Sequence, residues 1–480
     1  MQAGDDMSFV QKSAVVFGLF ALIAISSHIA ALAQDEPASE EVAPVSFYRQ
    51  VRPILQRHCS GCHQPAKKGG QLLLTSYADF QKGGENGGSF TPGKPEESLV
   101  LDYISGENPE MPRNAEPLSQ AQVDLIAKWI KEGAKDDTPP GLKEVISADN
   151  PPQYARPPVI TALAYSPDSG QLAVSGFQEI LLHKADGSGL SGRLVGRSQR
   201  IESLAYSPDG KQLAAVGGTP ALFGEAQIWN TADQTLALSS TLAPDTLFGA
   251  SFNDAGTQLA FGGADNRARV IDTKEGKVLM RFDAHADWVF GTTYSLKNDH
   301  LITVSRDMSM KLVIVENAQF VDNITSITPG ALKGGLVDVH RHPGKEEVLT
   351  GGADGEPKLY KIFRTQDRKI GDDFNRIRSY QKLPGRIFDL EFNKDGSRFV
   401  VGASTATGGS ARIYETDTGK LLHELPEIQG PIFAVAFRPD GKQVAVGGFD
   451  GNVRLYDANS GQIVKSFIPV PLAADKTAAR

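Results

Sequence analysis

Both cysteines of the 480-residue chain fall in one pentapeptide, Cys59-Ser60-Gly61-Cys62-His63. Thiols at i and i+3 lie one helical turn apart on one face. At that spacing both can add to the two vinyl groups of a haem, while the adjacent imidazole sits under the iron as proximal ligand. C-x-x-C-H is the attachment motif of c-type haem. Two other chemistries use paired thiols. A thioredoxin-like dithiol wants a βαβ context, which is absent here. A structural zinc wants four ligands, and no second pair stands near Cys62 and His63. The expectation is one haem c per chain, bound covalently through Cys59 and Cys62, with His63 on the iron.

The iron then needs a sixth ligand or an open site. Met111 stands in NPEMPRNAEPLS, where Pro109 and Pro112 would hold the backbone extended and stiff. Its neighbours Glu110, Arg113 and Asn114 are polar, so a buried gap-filler is a poor reading, and a presented thioether is the better one. His58 precedes Cys59, but His63 already commits the iron, and His58 is expected to face solvent. Gly88 to Pro95 (GSFTPGKP) matches most of a phosphate-binding loop. Pro95 replaces the hydroxyl that would hold Mg²⁺, and Pro92 removes a backbone N–H, so this is a surface loop.

Helices must position these groups. Phe47, Val51, Ile54 and Leu55 follow a 3.6-residue spacing and predict a short amphipathic helix leading into the motif. Ser119 and Gln122 form a capping box, and Val123, Ile126, Trp129 and Ile130 make one apolar stripe of a helix ending at Gly133. Residues 45–137 thus read as a folded unit with Gly- and Pro-rich loops between two terminal helices. The stretches VRPILQRHCSGCH, GGQLLL, PGKPEESLV, the Met-Pro segment and LSQAQVDLIAKWIKEGA cover this unit. Together they resemble the planctomycete-type cytochrome c domain. The resemblance implies a small all-α c-type cytochrome domain, with Cys59 and Cys62 binding haem and His63 and Met111 axial. Arg113 departs from the pattern, since the family commonly has a second proline there.

Residues 138–158 are Pro-rich and read as a semi-rigid linker that few contacts should cross. Beyond it an apolar strand, a turn and further strands recur from Ile160, Ile201, Leu247, Val289, Leu336, Ile387 and Ile432. Spacings between about 40 and 50 residues with strand texture mean propeller blades. Turns such as YSPDG and FRPDG, and Gly-rich turns such as FGGAD and VGGFD, mark the hairpins. Residues 159–470 resemble an all-β seven-bladed WD-repeat propeller, followed by a tail, 471–480. Phe248, Phe290, Phe388 and Phe433 share one position on the first strands and are read as packing between blades. His285 and Asp307 sit where WD repeats place a hydrogen-bonded pair. His340 and His342 share a strand spacing that would allow two-point metal binding, but solvent-facing positions are favoured.

The formal net charge is −8, with 49 Lys and Arg against 57 Asp and Glu, which disfavours a nucleic-acid binder. Ala14 to Ile25 is an uncharged apolar run of about 18 Å as a helix, too short for a hydrocarbon core of roughly 30 Å. Ala31-Leu32-Ala33 supplies a small-x-small cleavage pattern. Residues 1–33 therefore read as a signal peptide, with an uncleaved membrane anchor as the alternative, and 34–44 as an acidic spacer. The whole reads as an exported, periplasmic electron carrier, with the propeller docking a redox partner protein. A redox enzyme holding a second cofactor in its propeller, like the cytochrome cd-type nitrite reductases, is the alternative. No catalytic constellation is assigned.

Overall fold

The computed structural model describes residues 43–113, 115–328, 332–369 and 371–473. The apolar run and cleavage pattern of 1–33 lie outside them, as do residues 34–42 of the spacer and 474–480 of the tail. Among the described residues no helix is long and apolar enough to cross a membrane.

The polar break Ser46 opens the first helical segment, where its hydroxyl accepts from Arg49 N–H. A π-helical turn, Phe47–Val51, runs directly into α1, Arg52–His58, with Pro53 in its first turn where no N–H is needed. α2 (Tyr77–Lys82) and α3 (Leu99–Ile104) are one-and-a-half-turn helices separated by glycine-rich loop. α4, Gln120–Lys131, begins at the expected capping box and buries Val123, Ile126, Trp129 and Ile130. Its stripe meets the buried faces of Phe47, Val51, Leu55 and Phe80 in one hydrophobic core. Trp129 is its centre: Phe47, Tyr77, Phe80 and Phe90 ring it at centroid distances of 5.4, 6.2, 6.0 and 4.9 Å. The segment is not wholly helical. Two-residue strands β1 (His63–Gln64) and β2 (Lys67–Lys68) pair antiparallel directly after the cysteines. Gln64-Pro65-Ala66-Lys67 forces this hairpin, because proline presets the first corner of a tight turn.

From residue 163 the chain makes seven four-stranded antiparallel sheets in sequence order: 163–195, 200–243, 247–282, 289–323, 336–379, 386–424 and 432–467. The first strand of each sheet packs beside the first strand of the next, and the seventh packs on the first, closing a ring. This is a seven-bladed propeller. Each blade is built from its own four consecutive strands. The closure between blades 7 and 1 uses flanking chain instead: Ile160 N–H donates to Gly448 O at 2.9 Å, and Ala473 N–H to Tyr154 O at 2.8 Å.

Carboxylates on the inner strands tie blades 5, 6 and 7 together. Asp338 accepts from Leu390 N–H (3.0 Å), Asp389 from Val435 N–H (2.7 Å) and Glu391 from Phe437 N–H (2.7 Å). The described residues from Pro44 onward form one compact unit.

Candidate haem-attachment site

The motif follows directly on the last turn of α1. Cys59 N–H donates to Leu55 O at 2.9 Å, and the N–H groups of Cys62 and His63 both reach Cys59 O at 3.2 Å. A hydrogen-bonded turn therefore follows α1 directly and carries Cys59 and Cys62 three residues apart. Both cysteines are free thiols, Cys62 exposed and Cys59 half-buried against the hydrophobic core. Burial pushes the Cys59 thiol up to about 12, although the positive charge of Arg197 pulls the other way.

The hairpin β1–β2 then turns the chain back so that Gly69 lies beside His63. Gly69 N–H donates to Cys62 O at 2.9 Å. Its carbonyl lies 2.9 Å from His63 Nδ1. A carbonyl only accepts, so Nδ1 carries the proton and Nε2 keeps its lone pair free for a metal. The approach is close: a Cβ on Gly69 would stand 3.4 Å from the His63 ring. Burial lowers the His63 pKa against the backbone carbonyls of Gly69 and Leu72, which favours the neutral imidazole an iron would need.

Met111 lies in the loop after α3, where its N–H donates to Tyr103 O at 3.0 Å. Its side chain is half-buried against the same core as Cys59, together with Leu72, Val100, Leu101, Tyr103 and Leu125. Such a set of incompletely covered apolar groups beside Cys59 is a surface that a flat apolar group would complete. Thr75 Oγ1, one residue past the Leu74 N–H that donates to His63 O, is buried without a partner. Cys59 and Met111 pack on one core, and Cys62 and His63 stand on the turn that follows Cys59; two free thiols, an imidazole and a thioether fit the donor set of a c-type haem.

Residues 59–114 match the family model described as Planctomycete cytochrome C. Within the cytochrome-like segment the match runs from Cys59 past Met111. A second model, WD domain G-beta repeat, matches residues 419–457, in blades 6 and 7. Among curated proteins the chain is similar to angio-associated migratory cell protein of Homo sapiens, 28% identical over 216 residues, 44% of this chain and 45% of that protein. It is also similar to periodic tryptophan protein 2 of Arabidopsis thaliana, 22% identical over 244 residues, 51% of this chain and 25% of that one. Serine-threonine kinase receptor-associated protein of Gallus gallus is 22% identical over 264 residues, 49% of this chain and 74% of that one. The matched stretch spans less than half the length of the first of these relatives.

The cytochrome-like segment sits directly on blade 2, so the expectation that few contacts cross the linker does not hold. Arg57 Nε donates to Leu222 O (3.0 Å), and Lys67 Nζ to Ala237 O (3.0 Å). Gln64 Nε2 bridges Gly61 O (3.0 Å) and Ser239 Oγ (3.2 Å). Arg197, in the loop entering blade 2, donates to Gln56 O at 2.5 Å and to Glu225 at 2.9 Å. Glu225 is fully buried and also accepts from Ser198, Ser239 and Gln227. The fit at Gly61 is tight, since a Cβ there would stand 3.1 Å from Ser239 O. Sequence reading missed this seat. Its one signal was a glutamate in the middle of the third strand of blade 2, Phe223–Asn230, whose interior is otherwise uncharged.

The remaining candidates resolve differently. His58 is half-buried, with its Nε2 3.2 Å from Gln122 Nε2 of the α4 capping box, rather than facing solvent. His285 Nδ1 lies 2.8 Å from Asp307 Oδ2, and its Nε2 lies 2.7 Å from Thr303 Oγ1. Burial raises the Asp307 pKa, but hydrogen bonds from His285 and Ser309 outweigh it and hold the carboxyl well below the usual range. This pair is architectural, as its spacing predicts. His342 is buried under Gly396 and Phe392 rather than facing solvent, and it lies one residue past the strand that carries His340. The four phenylalanines do bridge neighbouring blades, Phe248 to Phe290 at 5.1 Å and Phe388 to Phe433 at 5.0 Å, but all four stay half-exposed. Among the described residues no group of three or more His, Cys, Asp or Glu is arranged to hold a metal ion.

Proposed function

We propose that the chain is an exported single-electron carrier, in which the cytochrome-like segment binds one haem c and the propeller serves as a docking platform for a protein partner. One observation carries the reading. The motif that places two free thiols on one turn also fixes His63 by the bond from Nδ1–H to Gly69 O, leaving Nε2 available. The match of residues 59–114 to Planctomycete cytochrome C supports it.

Cys59 and Cys62 would each add S–H across a vinyl C=C. A C–S bond forms at one carbon and the proton goes to the other, with no oxidant required. His63 Nε2 and the Met111 thioether would hold the iron. A bound haem would supply a one-electron iron couple, and methionine ligation favours the reduced form. The core around Trp129 would keep water from the buried side, and the Gly69 carbonyl would hold the imidazole in one orientation. Export rests on the apolar run Ala14 to Ile25 and the Ala31-Leu32-Ala33 pattern. A propeller of WD type is a common platform for protein–protein contact, which supports a protein redox partner.

The test is a potentiometric titration of the purified full-length protein followed by its visible spectrum. One c-type haem per chain, titrating as a single one-electron couple, is the expected result. A second chromophore in the chain would favour the enzymatic alternative.

A further inference from the structure

We infer that Arg197 and Glu225 of blade 2 are positioning residues of the attachment site, so that the propeller is a fixed wall of that site rather than a separable platform. The inference rests on the haem reading for its electrochemical consequence, and on the contacts alone for its structural one.

Four observations converge on this pair. The Arg197 guanidinium reaches the last turn of α1 through Gln56 O, three residues before Cys59, and lies 4.1 Å over the Phe223 ring. Its side chain is 9% exposed, and that of Glu225 is 0%. Glu225 also accepts from Ser239, and Ser239 accepts from Gln64 and presses on Gly61, inside the motif itself. The same outer strand of blade 2, Leu236–Ala243, is a sheet edge whose Ala237 carbonyl is taken by Lys67 of the hairpin. Covering an edge strand removes a site of unwanted pairing, which gives the seat a structural reason to persist.

A buried ion pair has two consequences. Geometrically, it fixes the turn that carries both thiols. Electrostatically, it sets a plus and a minus charge beside the site in a low-dielectric wall, where neither is screened by solvent. Removing Arg197 takes away the positive member of the pair and leaves the Glu225 carboxylate with Ser198, Ser239 and Gln227 as its donors. The local field then turns negative and favours oxidised iron. Removing the Glu225 charge does the reverse.

The experiment compares the full-length protein with Arg197→Gln, Glu225→Gln and the double variant. Midpoint potential and amide hydrogen exchange of residues 56–67 are measured on each. Arg197→Gln should lower the midpoint and Glu225→Gln raise it, each by about tenfold in the redox equilibrium, or about 59 mV for one electron. The double variant should return toward the wild-type value. Both single variants should exchange residues 56–67 at least tenfold faster. Ser239→Ala keeps both charges and guards against variants that fail to fold; it should speed exchange without moving the potential. Shifts of one sign in both single variants would mark simple loosening and overturn the electrostatic role. Unchanged exchange in all variants would overturn the seat. Absence of covalent haem in the wild-type chain would instead refute the functional reading, and the exchange arm would then decide this inference alone.

Discussion

His63 shows how much a single hydrogen bond decides. The carbonyl of Gly69 assigns the proton to Nδ1, and the hairpin that brings Gly69 there follows from Pro65. Met111 is the complementary residue on the loop after α3, packed on the same core as Cys59. Met111→Ala should let cyanide bind the oxidised protein and should lower the midpoint, because the thioether favours reduced iron. Visible spectra with and without cyanide, with a redox titration, check this. His58 would be a poor replacement, since Gln122 already engages its Nε2. In the propeller, burial pushes Glu391 up to about 7, against the pull of His340 and the bond from Phe437 N–H; Asp338 adds to the rise. Asp389 on the same strand is raised in the same direction by burial and by Asp338. The protonated Glu391 is thus the form the fold favours. Its contribution is complete below the ordinary carboxyl range and is lost as pH rises through about 7. At about 1.4 kcal/mol per pKa unit, this is on the order of 3 kcal/mol. Urea midpoints at pH 5 and pH 8.5 should differ in that sense, and Glu391→Gln should shrink the difference.

At the scale of elements, α4 holds the cytochrome-like segment together. Trp129 is 1% exposed, and Trp129→Ala would empty the centre of its aromatic cluster at a cost of about 3–5 kcal/mol. A fall in the denaturation midpoint of that segment, followed through Tyr and haem absorbance, is the expected outcome; an unchanged midpoint would contradict the assigned core. The capping box and the stripe of α4 were legible because local chemistry specifies them: a hydroxyl three residues before an amide, then apolar groups at helical spacing. The seven blades were legible because five of them repeat the same turn chemistry, as in YSPDG and FRPDG, while the fourth and fifth are degenerate and follow from the spacing. The hairpin β1–β2 was not read, since two residues per strand leave no periodicity to detect. His342 was misjudged for a related reason: its burial is imposed by Gly396 and Phe392 of the next blade, which lie about 50 residues away in the sequence. The Arg197–Glu225 seat is likewise a tertiary fact, between residues far from the motif they touch.

For the whole molecule, the contacts with blade 2 change how the two parts relate. The proline-rich linker, 138–158, reads as a separator, yet Arg57, Gln64, Lys67 and Arg197 join the parts on both sides of it. Cleavage at a protease site introduced into the linker of the folded protein should therefore leave both pieces in one peak on size exclusion; separation into two peaks would contradict the shared seat. The central claim is covalent attachment at the one turn that carries both thiols. It is tested most directly by denaturing electrophoresis with haem staining of the full-length protein, co-expressed with a haem-maturation system, beside Cys59→Ala with Cys62→Ala. The account predicts a stained band in the first and none in the second. A stained band that persists in the double variant, or no staining in the wild-type chain, would contradict it.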